Sequence, residues 1–248
     1  MSGEFCLKYS VRNYESDFMQ ALKPSALLGY FQEAAAEHSQ EMGMGFDRLR
    51  EEGRFWVLSK ICVRIGRRPM QGENVTVRTR PHSPNRAIFE RSFFVEDASA
   101  ETVIRAVSRW CVLDECGRIV PAAKVPHKET VLSEERAFTD QDWKIGEEIP
   151  LWEKPIYSMT VACSEYDLNM HMNNIKYADC VFNCFSVKEL SARVLSGFSL
   201  HFLRQSHEGD RLDFYRHALS DSVYQVVGKC GEVPVVSARV EFCRAQTE

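Results

Sequence analysis

No stretch of this 248-residue chain approaches 18 consecutive apolar residues, so no membrane insertion is expected. Met1 to Ser10 lacks the apolar core of an export signal, which points to a soluble, cytoplasmic protein. No C-x-x-C pair occurs, and the nine cysteines are an odd number scattered through apolar segments. Without an export signal they read as reduced, buried small hydrophobes rather than disulfide partners. Zinc is not supported, because His201 and His207 have no ordinary ligand spacing and the acidic motif near residue 170 has no second imidazole. Neither a phosphate loop nor a G-x-G-x-x-G turn is present, and no metal or cofactor is expected. A formal charge of −4 excludes bulk attraction to nucleic acid.

What the chain does have is Asp167-Leu-Asn169-Met-His171-Met-Asn173-Asn174-Ile-Lys-Tyr177. An acid, an imidazole and three carboxamides fall within eight residues, just ahead of an apolar helical pattern. One or two such side chains cap a helix. Five exceed that need and point to a reaction site against the positive helix end.

The chain also repeats itself. Val57-Leu58-Ser59 returns as Val194-Leu195-Ser196, an offset of 137, and at that offset Arg67 meets Arg204, Gly72 meets Gly209 and Glu73 meets Asp210. Ser16-Asp17-Phe18 matches Tyr166-Asp167-Leu168 at an offset of 150. Collinear order gives these short matches their weight. Opposite Asp167, Asn169 and His171 the first copy has Asp17, Met19 and Ala21. A purely structural cap would be needed in both copies, yet only the second keeps the Asn and the His.

Periodicity predicts a helix over 24–42, with Pro24 in its first turn and Leu27, Phe31, Ala34 and His38 on one face. Strands are expected near 55–67, 73–80, 87–95 and 103–113. The second copy reads as a strand over 157–163, a helix over 173–189 buried on nearly all sides, and strands near 194–205, 210–218, 222–230 and 234–243. Residues 121–153 have little periodicity and read as a linker between units at 1–120 and 154–248. The fold class is therefore α+β: a tandem (double) hot-dog, each unit a long central helix wrapped by an antiparallel β-sheet. Basic residues cluster at Arg64, Arg67, Arg68, Arg78 and Arg80, then at Arg204, Arg211 and Arg216, either as a solvated face or as a docking patch for an acidic partner.

The D-x-N-x-H-x-N-N-x-x-Y string, the Trp56-Val57-Leu58 start of a sheet and the Phe31-Gln32-Glu33-Ala34-Ala35 helix resemble the acyl-acyl-carrier-protein (acyl-ACP) thioesterases of plants and bacteria. The resemblance implies a tandem hot-dog fold, hydrolysis of fatty acyl-ACP, and catalytic roles on Asp167, Asn169 and His171. The chain departs from the plant pattern at Gln205-Ser206, where a Glu-Cys pair is expected. An amide cannot serve as a carboxylate base, so Gln205 becomes a supporting catalytic group and the base is His171 or Asp167. Direct attack by the Asp167 carboxylate is a further route. Backbone N–H groups near Met172–Asn174 are expected to hold the oxyanion. Asn173, Asn174, Arg204 and Ser206 are expected to bind substrate, with the first unit holding the acyl chain. The rival readings are an acyl-coenzyme A thioesterase, a hot-dog hydratase or dehydratase, and a non-catalytic acyl-binding or regulatory protein. A homodimer is the assembly considered.

Overall fold

The structure, a computed structural model, describes residues 3–126, 132, 134–150 and 154–244. The chain divides into two compact units, Met1–Gln141 and Asp142–Glu248.

The first unit comprises β1 (Phe5–Ser10), a 3-10 turn, α1 (Pro24–Glu41), α2 (Phe46–Glu51), β2 (Arg54–Ile65), β3 (Asn74–Pro81), β4 (Phe89–Glu96), β5 (Thr102–Asp114) and β6 (Ile119–Val120). Its strands pair antiparallel in the order β1-β3-β4-β5-β2, with β6 on β5. Proline opens α1, where its missing N–H costs nothing. Leu27, Leu28, Phe31, Ala34, Ala35 and His38 form the buried side of this helix. Phe31 stacks on Phe93 of β4 at 4.6 Å, so the apolar stripe of the helix closes onto the inner face of the sheet.

The second unit comprises β7 (Tyr157–Thr160), a 3-10 turn, α3 (Asn174–Phe182), α4 (Val187–Ser191), β8 (Arg193–Phe202), β9 (Arg211–Ala218), β10 (Val223–Cys230) and β11 (Val233–Arg244). The strand order β7-β9-β10-β11-β8 is that of the first unit, also antiparallel throughout. A helix laid on an antiparallel sheet, twice in one chain, is the tandem hot-dog expected from the repeat.

One expectation needs correction. The helix expected over 173–189 is two helices, broken at Asn183–Ser186. Ser186 Oγ accepts the Glu189 N–H while the Glu189 carboxylate accepts the Ser186 N–H, and this reciprocal cap starts a new helix where the apolar spacing alone would continue the old one. Nor is the segment buried on all sides: Asp179 and Asn183 are exposed, and Ile175 and Phe182 only half-buried. The described part of the expected linker is bonded to the unit on either side of it. Arg136 pairs with Glu90 and the Ala137 N–H donates to Ser92 Oγ at 3.0 Å, both within the first unit. In the second, the Gly146 carbonyl accepts from Gln225 Nε2 and Ser237 Oγ, each at 2.5 Å. Residues 127–131, 133 and 151–153 of that expected linker, and 245–248 of the second unit, lie outside the described residues. Among the described residues no helix is long and apolar enough to cross a membrane.

Candidate active site

The motif forms a tight loop between a 3-10 turn at Cys163–Glu165 and α3. The Asp167 N–H donates to the His171 carbonyl (3.0 Å), the Met170 N–H to the Asp167 carbonyl (3.1 Å), and the Asn169 N–H to Asp167 Oδ1 (2.8 Å). Met170 sits at φ 62°, a left-handed conformation that side chains other than Gly seldom take. The first unit repeats this loop bond for bond. Asp17 N–H donates to Ala21 O (2.9 Å), Gln20 N–H to Asp17 O (2.9 Å) and Met19 N–H to Asp17 Oδ1 (2.9 Å), with Gln20 at φ 61°. An aspartate at the head of this turn is thus a structural requirement in both units. Asn169 and His171 are not, since Met19 and Ala21 occupy the same positions of the same loop.

The equivalence extends to the next strand end. Met172 N–H donates to Ser206 O (3.0 Å), as Leu22 N–H donates to Pro69 O (2.8 Å). In the first unit Arg68, just before Pro69, forms an ion pair with Asp17 in which both side chains are mostly buried. The position before Ser206 is the exposed Gln205. Asp167 therefore keeps a carboxylate with no Lys or Arg partner among the described residues. Its ionisable neighbour is His171, whose Nδ1 lies 3.9 Å from Oδ1, too far for a hydrogen bond.

His171 is oriented from its other side. Nδ1 lies 3.2 Å from the Met172 carbonyl oxygen, which can only accept. Nδ1 therefore carries the proton and Nε2 keeps its lone pair, the arrangement a general base needs.

The helix end allots its donors unevenly. Met172 N–H is held by Ser206 O and Asn173 N–H by Glu165 O (2.8 Å). Neither can serve an oxyanion, which corrects the expected donor set. Ile175 N–H is capped by Asn173 Oδ1 (3.0 Å), and Lys176 N–H bonds Asn173 O (2.9 Å). The Asn174 N–H alone of these has no acceptor among the described residues, at the positive end of α3. The Asn173 side chain, expected to bind substrate, caps the helix through its Oδ1.

Ser206, expected to bind substrate, is fully buried, and Tyr177 Oη donates to its Oγ at 2.7 Å. Burial pushes the Tyr177 phenol up to about 12, so it stays a donor at any working pH. The pair fastens the 203–207 segment to α3. Tyr177→Phe is expected to lower stability by about 1 kcal/mol, the net worth of one hydrogen bond, and a urea titration measures it. Arg204 and Gln205 are exposed on the same segment.

The arginine clusters resolve differently in the two units. In the first, Arg64, Arg67, Arg68, Arg78 and Arg80 pair with Asp140, Glu73 and Asp97, Asp17, Glu4 and Glu96, and Glu4 and Glu135 respectively. These cations are spent internally and make a poor docking patch. In the second, Arg216 pairs with Glu189 and Arg211 with Asp213, while Arg204 has no partner among the described residues. None of the nine cysteines forms a disulfide. Burial pushes the Cys180 and Cys184 thiols up to about 12, which makes both unreactive. Among the described residues no group of His, Cys, Asp and Glu could hold a metal.

Sequence reasoning missed the Tyr177–Ser206 lock and the contrast between Asp17 and Asp167. The second had a signal: Gln205 aligns with Arg68, so one copy places a cation where the other places an amide.

Residues 3–128 match the family model of the acyl-ACP thioesterase N-terminal domain and residues 151–238 that of the C-terminal domain. An acyl-[acyl-carrier-protein] hydrolase of Cuphea viscosissima, chloroplastic, is 24% identical over 249 residues, covering 87% of this chain and 58% of the relative. A chloroplastic oleoyl-acyl carrier protein thioesterase of Arabidopsis thaliana is 24% identical over 222 residues, covering 83% of this chain and 61% of the relative. The chain thus spans about three fifths of these relatives' length. Among solved structures, an acyl-ACP thioesterase from Bacteroides thetaiotaomicron superposes with a TM-score of 0.89 at 21% identity, covering 97% of this chain and 98% of that one. The 12:0-ACP thioesterase from Umbellularia californica gives 0.85 at 20% identity, with 98% of each chain covered. These likenesses establish the fold.

Proposed function

This chain belongs to the acyl-ACP thioesterase family, and from that premise we propose that it hydrolyses fatty acyl-ACP to the free fatty acid and the carrier protein. The observation that carries the reading is His171: a tautomer set by the Met172 carbonyl with Nε2 available, in the same loop that leads to the Asn174 N–H, which has no acceptor among the described residues. His171 Nε2 takes a proton from water, whose oxygen bonds to the thioester carbonyl carbon. The carbonyl oxygen becomes an oxyanion facing the Asn174 N–H, a donor type worth about 3 kcal/mol when preorganised. The C–S bond then breaks, and the imidazolium returns its proton to the leaving thiolate. Asp167, without a cation of its own, stabilises that imidazolium through space. Asn169 orients the water, and the exposed Gln205 amide donates to water or carbonyl. The N-terminal unit takes the acyl chain, and its counterpart takes the chemistry.

Thiol release from an acyl-ACP, followed with a disulfide dye, tests the reading. No release from carrier or coenzyme A thioesters would leave a binding protein. Release favouring coenzyme A would move the substrate class but keep the site.

Docking of the acidic carrier falls to Arg204. Arg204→Glu is expected to raise KM for acyl-ACP several-fold and leave KM for an acyl-pantetheine unchanged. The wild-type KM for acyl-ACP is expected to climb with salt, because exposed charges are screened over about 10 Å at 0.1 M. Equal effects on both substrates would make Arg204 an ordinary solvated residue.

A further inference from the structure

The N-terminal unit contains a buried cation that no step above uses. Arg91 on β4 is 6% exposed, and among the described residues no carboxylate pairs with it. Its Nη1 donates to His38 Nδ1 (3.0 Å) and Thr79 Oγ1 (3.2 Å), and its Nη2 reaches Ser39 Oγ at 3.4 Å. All three acceptors are neutral. Two of the five guanidinium N–H groups, one on Nη2 and that of Nε, have no acceptor among the described residues. Burial alone lowers the guanidinium to about 10, so it remains charged at neutral pH. A charge taken out of water without a counterion is costly and calls for a reason.

Its position supplies one. The register across β3, β4 and β5 gives successive rows on the inner face. Val77, Val95 and Ile104 form an apolar row; Thr79, Phe93 and Ala106 form the next; Pro81, Arg91 and Ser108 follow. The helix changes character at the same level. After Leu27, Leu28, Phe31, Ala34 and Ala35 its buried side turns to His38 and Ser39. Beyond Arg91 the interior is apolar again, with Phe89 and Trp56 packed on Met42, Met44, Leu49, Val112, Val120 and Val125. Helix and sheet thus raise one polar partition between two apolar regions.

Resting on the reading that this unit holds the acyl chain, we propose that Arg91, with His38, Thr79 and Ser39, is the polar stop that sets the longest saturated chain the unit accepts. A methylene chain gains about fourfold in affinity per buried CH₂. A terminal methyl pushed against the guanidinium gains nothing and blocks the open N–H groups. A terminal hydroxyl at that depth would accept from them.

The test uses the full-length protein and free fatty acids of increasing length, measured by calorimetry. For the wild type, affinity is expected to rise about fourfold per methylene and then break. At the break, the ω-hydroxy acid is expected to bind at least tenfold more tightly than its saturated parent. Arg91→Met, similar in length and apolar, is expected to move the break outward by two or more carbons and to abolish the ω-hydroxyl advantage. The chain-length profile of kcat/KM on acyl-ACP moves with it. An unchanged break in folded Arg91→Met, or no ω-hydroxyl advantage in the wild type, overturns the stop. The wild-type comparison decides alone if the variant does not fold. If the wild type releases no thiol from any acyl-ACP, the thioesterase reading fails; if it releases thiol with a break indifferent to Arg91, the stop alone fails.

Discussion

His171→Ala is expected to lower kcat on an acyl-ACP by about 10²–10⁴-fold, the usual worth of a general base. The thermal midpoint should stay within about 2 °C, because a mostly local side chain with one hydrogen bond to its neighbour's carbonyl carries little stability. The reason for so clean a split is the twin loop: Ala21 already occupies this position in the first unit with the same backbone bonds. Asp167 supplies the contrast. Asp167→Asn keeps an oxygen for the Asn169 N–H and should fold normally while losing activity through the missing charge. Asp167→Ala loses the turn bond as well, and should also cost about 1 kcal/mol of stability. Should His171→Ala keep more than a tenth of wild-type turnover, water activation would have to be reassigned.

The largest effect on stability is expected from Phe93→Ala. Phe93 is fully buried at the centre of β4, paired with Thr79 and Ala106 across the sheet and stacked on Phe31 of α1. Truncating such a ring removes its transfer energy, leaves a cavity and ends an aromatic pair, for about 3–5 kcal/mol. Against a typical total of about 5–15 kcal/mol this brings the first unit close to unfolding. Phe93→Leu should cost much less, since a branched aliphatic fills most of the space. Urea midpoints for the two variants decide the matter, and a Phe93→Ala cost below about 1 kcal/mol would show that α1 does not close on this face.

The elements legible in the sequence were those with local, repeated signals. α1 showed itself by Pro24 and a buried stripe at helical spacing, and the strands by alternation between glycine and proline punctuation. The doubled strand order followed from the collinear repeat. The break in the second helix had a signature in Ser186-Val-Lys-Glu189, but Phe182 and Phe185 continue the helical spacing straight through it and masked the cap. The attachment of residues 134–150 could not be seen, because it rests on single contacts such as Ala137 to Ser92. At the site, the choice of Asn169 and His171 came from comparing the copies. What the helix N-terminus can offer did not, since which N–H groups remain open depends on Glu165 and Ser206 arriving from elsewhere in the unit.

The ion pair of Asp17 with Arg68 gives the duplication a direction. A first-unit loop seeking the second unit's chemistry would need an imidazole for Ala21, a carboxamide for Met19 and loss of Arg68. Until the last of these the turn aspartate stays neutralised, so each earlier change brings nothing. Removing Arg68 first leaves Asp17 mostly buried without its counter-charge, at the several kcal/mol that breaking such a pair costs. No single-step path is free of loss. The same turn aspartate is thus locked as a structural ion in one half of the chain and left, among the described residues, without a cation in the other.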